Sequence, residues 1–450
     1  MNVLFINCVS SNGGDAAILE AAMSILRRAF GPGLDFVVQD DHPQRVKQLY
    51  PELTVVSSCY WNVIHTDRKG WLRNLVPTLT LAWFGLARWL TRRGDRSLAR
   101  QSLSKAEFDY LENYRSADLV VATGGTYLVE NYNIDQRVFD MNTAIAMGRP
   151  LVLFTQSAGP FKLTKNRRRL ARLFRLARLI FLRDERTYAH VRELNVSDNH
   201  LRIVPDAAFA LADDDLATRP INPFPLAKPR PRIAVSVRQW NYFASGNNQD
   251  GMARYCAAFA SLTTHLVRRY DADVTFLSTC QGAPGYHDDS LVAFAIRKIL
   301  AVDVQSRVEV DDGFHTPREL RLLLRTFDWI VATRMHVAIL ALGVGAPVSP
   351  IAYEFKTVEL FRSLGYEFEL PSIETLSSAS LVSAFEAGVE NYERVARIVH
   401  QRVDHNRQQV WQTAVILRET FPEFAQTAPN ERSQVRGLSN AVEDRLTAIH

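Results

Sequence analysis

Short, continuously apolar runs alternate along this chain with longer stretches in which apolar positions recur every three or four residues. MNVLFINC, DFVVQ, LTVVSS, ADLVVAT, PLVLFTQ and ARLIFLR read as buried strands, and AAILEAAMSILRRAF, DMNTAIAMG and LARLFRLA as helices between them. Strands apolar on both faces and separated by helices predict a parallel sheet covered on both sides. At 213–232 the pattern breaks into DDDLATRPINPFPLAKPRPR, whose five prolines mark a linker. A second series then begins with RIAVSVR, a helix around 251–269, DVTFLST, and helices around 289–301 and 317–325. It ends with DWIVAT, the small-residue helix AILALG and PVSPIAY. Helical segments fill about 376–420, ahead of a polar tail over 421–450 that is expected to stay mobile.

The predicted organisation is an α/β protein with two Rossmann-like lobes and a cleft between them. The N-terminal lobe spans 1–212, the Pro-rich linker 213–231, the C-terminal lobe 232–375 and the C-terminal helices 376–420. At 450 residues the chain exceeds what one ordinary core holds. In parallel sheets, ligands gather at the carboxyl ends of the strands, so the cleft is where chemistry is expected.

Composition adds little until charge is mapped. Apolar residues make up 47% and charged residues 22%, an ordinary soluble mixture. Cys8, Cys59, Cys256 and Cys280 lie far apart, which suggests neither a disulfide framework nor a zinc site. The opening MNVLFINCV enters a strand pattern directly, so a reducing cytosol is expected. The net charge of +5 is concentrated: 162–178, KLTKNRRRLARLFRLAR, holds eight Lys/Arg and no acid, and the remainder sums to −3. Such a run faces anionic lipid, a diphosphate or nucleic acid, or is only a solvated helix face. Residues 71–90, WLRNLVPTLTLAWFGLARWL, place Leu79, Trp83, Leu86 and Leu90 at helical spacing, with Arg68, Lys69, Arg73, Arg88, Arg92 and Arg93 around the ends. The apolar part falls short of the ~20 residues of a span. It suits either a helix lying in a membrane interface or a lid packed on its own domain.

Candidate chemistry sits in loops that follow the predicted strands. SSNGGDAAIL (10–19) follows the first strand and opens a helix, and Asn12, Gly13 and Gly14 let a ligand approach the helix N-terminus. Asp15 is either an N-cap or a functional acid. ATGGTYL (122–128) supplies Gly124 and Gly125, TQSAGPF (155–161) supplies Ser157, and FLRDERTYAHV (181–191) brings Arg183 to a strand end beside Asp184, Glu185 and Arg186. Those four charges are either a site or a self-satisfied ion-pair cluster. In the second lobe, VSVRQWNYF (235–243) ends a strand with Arg238, Trp240 and Tyr242; exposed rings there would suit a sugar face, and core packing is the competing account. VATRMHVAILALGVGAPVSPIAYEFK (331–356) contributes Arg334, His336 and Lys356. Cations at consecutive strand ends bind a small polyanion: Arg grips phosphate or carboxylate through its planar fork, and Lys acts as a point charge.

The order N-G-G-D-A-A-I, G-G-T, Q-S-A-G-P, R-D-E-R-T, P-D-A-A-F (205–209), S-V-R and R-M-H…A-L-G…P…Y-E-F-K resembles the polysaccharide pyruvyltransferase family over roughly 1–375. The resemblance implies a glycosyltransferase-B-like fold and transfer of a pyruvyl group from phosphoenolpyruvate to a sugar as a cyclic ketal, with release of phosphate. It aligns the family's anion-binding Arg, His and Lys with Arg183, His336 and Lys356, places Arg334 beside them, and matches Asp15 to the acidic residue of the first glycine loop. Thr126 stands where the family usually has a third glycine, and the insertion at 68–105 lies outside the pattern. Both departures bear on the acceptor more than on the chemistry.

On this reading His336 is the acid that assists phosphate departure or protonates C3, and Asp15 is the base on the acceptor hydroxyl. Arg183, Arg334 and Lys356 neutralise the donor. Asn12, Gly13, Gly14, Gly124, Gly125, Ser157, Arg238 and Trp240 form the acceptor or loop surroundings. No cofactor or metal is expected, phosphoenolpyruvate being a donor substrate. The expected partners are phosphoenolpyruvate, a sugar acceptor with or without a lipid-diphosphate carrier, and an anionic membrane surface reached through 68–93 and 162–178, but no nucleic acid. The expected place is the cytoplasm, with peripheral attachment to the inner face of the membrane. A nucleotide-sugar-dependent glycosyltransferase of the same architecture is the competing expectation. A membrane-associated scaffold of a polysaccharide assembly complex is the non-enzymatic one.

Overall fold

The computed structural model describes residues 1–64, 72–130, 132–280, 288–367 and 369–425. Arg68, Lys69 and nearly all of the predicted polar tail lie outside them. The first lobe holds β1 (Asn2–Cys8), β2 (Asp35–Asp40), β3 (Thr54–Ser57), β4 (Leu119–Ala122), β5 (Gly125–Leu128), β6 (Leu151–Ala158), β7 (Leu179–Leu182) and β8 (Leu201–Ile203). They form one parallel sheet in the order β3-β2-β1-β4-β6-β7-β8, with β5 pairing β6 at its end. Apart from Asn2, every position of β1, β4, β6 and β7 is buried, which is why these strands read as unbroken apolar runs. The helix Gly13–Phe30 and the short turn Ala207–Leu211 cover one face of the sheet. The helices Lys105–Ser116, Asp135–Ala146 and Thr164–Leu176 cover the other.

The second lobe holds β9 (Arg232–Ser236), β10 (Asp273–Leu277), β11 (Val308–Asp311), β12 (Trp329–Ala332) and β13 (Val348–Pro350), all parallel, in the order β11-β10-β9-β12-β13. Both sheets therefore reverse winding direction once, between β1 and β4 in the first lobe and between β9 and β12 in the second. Loops diverge at such a point and leave a crevice at the strand ends. The two crevices face each other.

Two regions differ from the sequence expectation. Residues 376–420 are a single helix, Ser378–Thr420, with a capping box at Ser377 and Ser380. Its first turns bury Leu381 and Phe385 in the core of the second lobe. Its later turns bury Val403, Val410, Ala414 and Leu417 in the core that includes the helix Gly13–Phe30. Phe421 and Phe424 then pack edge-on against Phe30. The Pro-rich stretch is also pinned: Asp213 N–H donates to the Gly343 carbonyl at 2.8 Å, and its carboxylate receives Arg219, Arg321 and Arg325. Strands β5, β8 and β11 are three or four residues long, too short for an alternation to show.

Candidate active site

The site is built from backbone ends. The helix Gly13–Phe30 starts directly after β1 and is capped by Asn12, whose side chain accepts from Gly14 N–H at 3.0 Å. Asp15 is therefore not the cap; it is the third residue of the helix, in its first turn, and lines the cleft. Gly13 N–H donates across to the Thr279 carbonyl of the other lobe at 2.9 Å, and Asn12 bridges Cys280. On the opposite side, the helix Met335–Gly343 follows β12 at once, with Arg334 at its N-cap, which brings His336 to the cleft. The two helix starts nearly touch. A Cβ on Gly14 would lie 2.3 Å from His336 Nδ1, so only glycine lets the imidazole rest there. Gly124 is held as tightly, between Thr155, Phe154 and Ile18. Gly125 has φ +156° and turns the chain into β5.

A cavity of about 290 Å³ lies between these ends. Arg137, Arg183, Arg238, Arg334 and Lys356 line it, together with Asp15, His336, Tyr353 and Glu354. The cations differ in what already holds them. Arg183 Nη1 reaches Asp206 Oδ2 at 3.0 Å and its Nε donates to the Thr155 carbonyl at 3.2 Å, while Nη2 is buried with no hydrogen-bond partner among the described residues. The same Asp206 oxygen lies 3.3 Å from His336 Nε2. Burial alone would raise the Asp206 carboxyl, but Arg183 and His336 hold it well below the usual carboxylate range. Lys356 pairs with Glu354 at 2.8 Å and donates to Thr126 Oγ1, across the cleft, at 3.3 Å. Burial disfavours its charge, yet Tyr353 and Glu354 raise its pKa.

Arg334 is more fully engaged. Its Nε and Nη2 donate to the two oxygens of Asp289 at 2.9 and 2.5 Å, and Asp289 is entirely buried. Burial works against the guanidinium charge, but Asp289 more than offsets it and holds Arg334 protonated. Arg238 has no ion pair among the described residues; it stacks 4.2 Å from the Tyr353 ring and 4.9 Å from that of Trp240. Asp15, too, has a raised pKa: burial lifts it, and His336, Arg183, Arg137 and Lys356 offset only part of the rise. A buried carboxyl lifted in this way, standing beside a histidine in a cleft, is a candidate for proton transfer.

One expectation needs correction. Trp240 is only 6% exposed: it packs on Tyr353, and its indole N–H reaches Glu374 at 3.4 Å, so it offers no free ring face. The exposed ring is Tyr242, at 60%. Of the two readings of the R-D-E-R group, the self-satisfied cluster falls away, because its charges find partners outside it and Arg183 lines the cavity. Arg183 goes to Asp206, Asp184 caps the helix Glu185–Arg192, and Arg186 lies 3.8 Å from Glu359. Ser157 sits just outside the main cavity, in an adjoining recess with Thr126, Trp240, Tyr242 and Lys356. Arg137, Asp206, Asp289 and Tyr353 escaped the sequence reading as site residues. Asp206 stood inside the quoted P-D-A-A-F motif, and Arg137 stood just ahead of the predicted helix DMNTAIAMG, which the structure begins earlier, at Asp135. Among the described residues, no group of three or more His, Cys, Asp or Glu side chains is placed to hold a metal ion.

Two facing Rossmann-type sheets with a polar cleft at their switch points define the glycosyltransferase-B type of architecture. Solved structures with this fold cover nearly the whole chain. The chain is similar to Anabaena HepE in complex with UDP-glucose (12% identity, 93% of this chain and 100% of that one, TM-score 0.53). It is likewise similar to UDP-GlcNAc 2-epimerase from Neisseria meningitidis bound to UDP-GlcNAc (13% identity, 94% and 100%, TM-score 0.54). At these identities the likeness concerns fold alone. Residues 12–354 match the model of the polysaccharide pyruvyl transferase family, and the chain belongs to that family. It is also 22% identical over 420 residues, 90% of this chain and 96% of the relative, to the amylovoran biosynthesis protein AmsJ of Erwinia amylovora. The protein is accordingly a polysaccharide pyruvyltransferase.

Proposed function

We propose that the donor is phosphoenolpyruvate and that the enzyme joins its pyruvyl carbon to two hydroxyls of one sugar in a polysaccharide or its lipid-linked precursor, with no cofactor. The likeness to an amylovoran biosynthesis protein supports an exopolysaccharide as the product. The observation that carries the reading is the contact of His336 with the start of the helix Gly13–Phe30, beside Asp15 and inside a ring of cations. Phosphoenolpyruvate presents a phosphate and a carboxylate. The unpartnered Nη2 of Arg183, Arg238, Lys356 and the helix N-terminus supply donors for both. Arg334 is better read as a support for this surface, because Asp289 already occupies its fork.

In the reaction, C3 of the donor gains a proton and becomes a methyl group while a sugar hydroxyl bonds to C2 and loses its proton to Asp15. The C2–O bond to phosphate then breaks as the second hydroxyl closes the ring and gives up its proton, and phosphate leaves. His336, its Nε2 facing Asp206, is the acid for C3 or for the departing phosphate. The acceptor sugar lies in the adjoining recess, where Tyr242 offers an exposed ring.

Release of inorganic phosphate from phosphoenolpyruvate in the presence of acceptor tests this reading. His336→Ala and Lys356→Ala are each expected to abolish it; release retained by both variants overturns the assignment. Nucleotide release from a UDP- or GDP-sugar, with none of phosphate from phosphoenolpyruvate, would favour glycosyl transfer instead.

A further inference from the structure

The helix Leu72–Arg93 is apolar on two sides. Phe84, Ala87 and Thr91 are buried against the first lobe. At positions i, i+4, i+7 and i+11 on the opposite stripe, Ala82, Leu86, Trp89 and Arg93 are exposed, with Leu86 and Trp89 each at 46%. A helix resting on a soluble domain ordinarily turns polar residues outward. This one carries no acidic residue, and Arg93 lies 4.0 Å over the Trp89 ring, a cation–aromatic pairing at home between water and lipid.

The neighbouring surface is basic. The helix Thr164–Leu176 also lacks acids and exposes Arg168, Arg172 and Arg175. The helix Asp135–Ala146 touches both of these helices and joins them into one face. Arg88 and Arg172 feel each other's charge: burial lowers the Arg88 pKa, and Arg172 lowers it further. The face ends at the active site. Lys165 lies 3.7 Å from Asp135, Arg169 also binds Asp135, and the preceding Tyr132 and Asn133 line the cavity.

We infer that this face docks on an anionic bilayer, with Leu86 and Trp89 entering the interfacial layer and Arg168, Arg172 and Arg175 meeting lipid phosphates. No helix among the described residues is long and apolar enough to cross a membrane, so the attachment is lateral. Charge selects lipid over a second copy of this chain. A two-fold pairing through this face would set the two arginine rows against each other. The site then opens at the membrane plane, where a lipid-carried acceptor arrives, although docking itself is independent of the donor's identity.

Flotation of the full-length protein with vesicles reads the docking without any turnover. Binding is expected to vesicles containing phosphatidylglycerol at low salt, to be absent with phosphatidylcholine alone, and to be reversed by high salt. Arg168→Ala, Arg172→Ala and Arg175→Ala together should weaken it by about fivefold per arginine. Leu86→Glu with Trp89→Glu should abolish it. Absence of flotation with the anionic vesicles at low salt overturns the inference, as does flotation unchanged in the arginine variant. Self-association in the ultracentrifuge that the same substitutions abolish, without lipid binding, would assign the face to a second copy. The arginine variant alters only exposed side chains, so it keeps the test decisive if the Leu86/Trp89 variant fails to fold.

Discussion

Gly14→Ala is a one-carbon substitution aimed at the contact between the lobes. The added Cβ would stand 2.3, 2.8 and 3.1 Å from His336 Nδ1, Cγ and Cβ, whereas ordinary contact begins near 3.4 Å. The imidazole must therefore retreat by about an ångström, and its 3.3 Å approach to Asp206 is lost with it. Misplacement of a reacting group on that scale costs about 10²-fold in turnover, or ~2.7 kcal/mol on the barrier. Stability should fall or change little: alanine's better helix propensity, up to ~1 kcal/mol, is offset by a clash that reaches the root of the His336 side chain at Cγ and Cβ. The assay is steady-state phosphate release alongside thermal unfolding for Gly14→Ala, His336→Ala and the double variant. If the glycine acts only by admitting His336, the double variant is no slower than His336→Ala alone. Wild-type turnover in Gly14→Ala, or losses that add in the double variant, would refute the reasoning.

Four further outcomes follow from the charges of the site. Asp206→Asn leaves the Arg183 guanidinium buried without its counter-charge and should cost about 3–5 kcal/mol in denaturant unfolding at neutral pH. Because the folded pKa of Asp206 is depressed, its stabilisation is complete above the unfolded value of about 3.9 and fades as pH falls below it, so wild type and variant should converge in acid. Asp15 has the opposite sign: burial raises its pKa, so its ionised form destabilises the fold at neutral pH and the penalty disappears below the ordinary carboxylate range. Asp15→Asn should therefore unfold at a higher temperature at pH 7 while losing turnover, and the wild-type rate should fall in acid at a pH above that of an ordinary aspartate. Arg334→Met strands the Asp289 charge and should lower stability by about 3–5 kcal/mol. Arg238→Met, without such a partner, should instead raise the KM for phosphoenolpyruvate with little change in unfolding; the reverse pattern would exchange their assigned roles.

Much of the architecture was legible because the central strands are buried on both faces and declare themselves as apolar runs. VLFIN, LVVA and LVLFTQ needed no tertiary information. What escaped was decided between elements. Asp289 lies in a predicted helix start, and nothing local shows that its carboxylate is filled by Arg334, which is 45 residues away. Arg183 and His336 were visible as cations at strand ends, but the carboxylate between them belongs to a third segment. Trp240 read as an exposed ring because it follows a strand end; it is buried because Tyr353, from beyond β13, folds over it. Apolar spacing likewise marked 376–420 as helical, while the continuity of that helix and the lobe against which it ends depend on how the two sheets face each other.

That helix has a consequence for how the molecule is made. The first lobe is synthesised first, yet Phe421 and Phe424, which cover Phe30, and Val410, Ala414 and Leu417, which close its core, are translated only after the entire second lobe. The nascent N-terminal half thus leaves the ribosome with an apolar flank uncovered, a hazard typical of multidomain chains. Cutting the chain near residue 376 would leave the same flank permanently bare. Although its sheet is complete by residue 203, the first lobe has its core closed only by residues beyond 400. The last described turn of the protein finishes what the first helix begins.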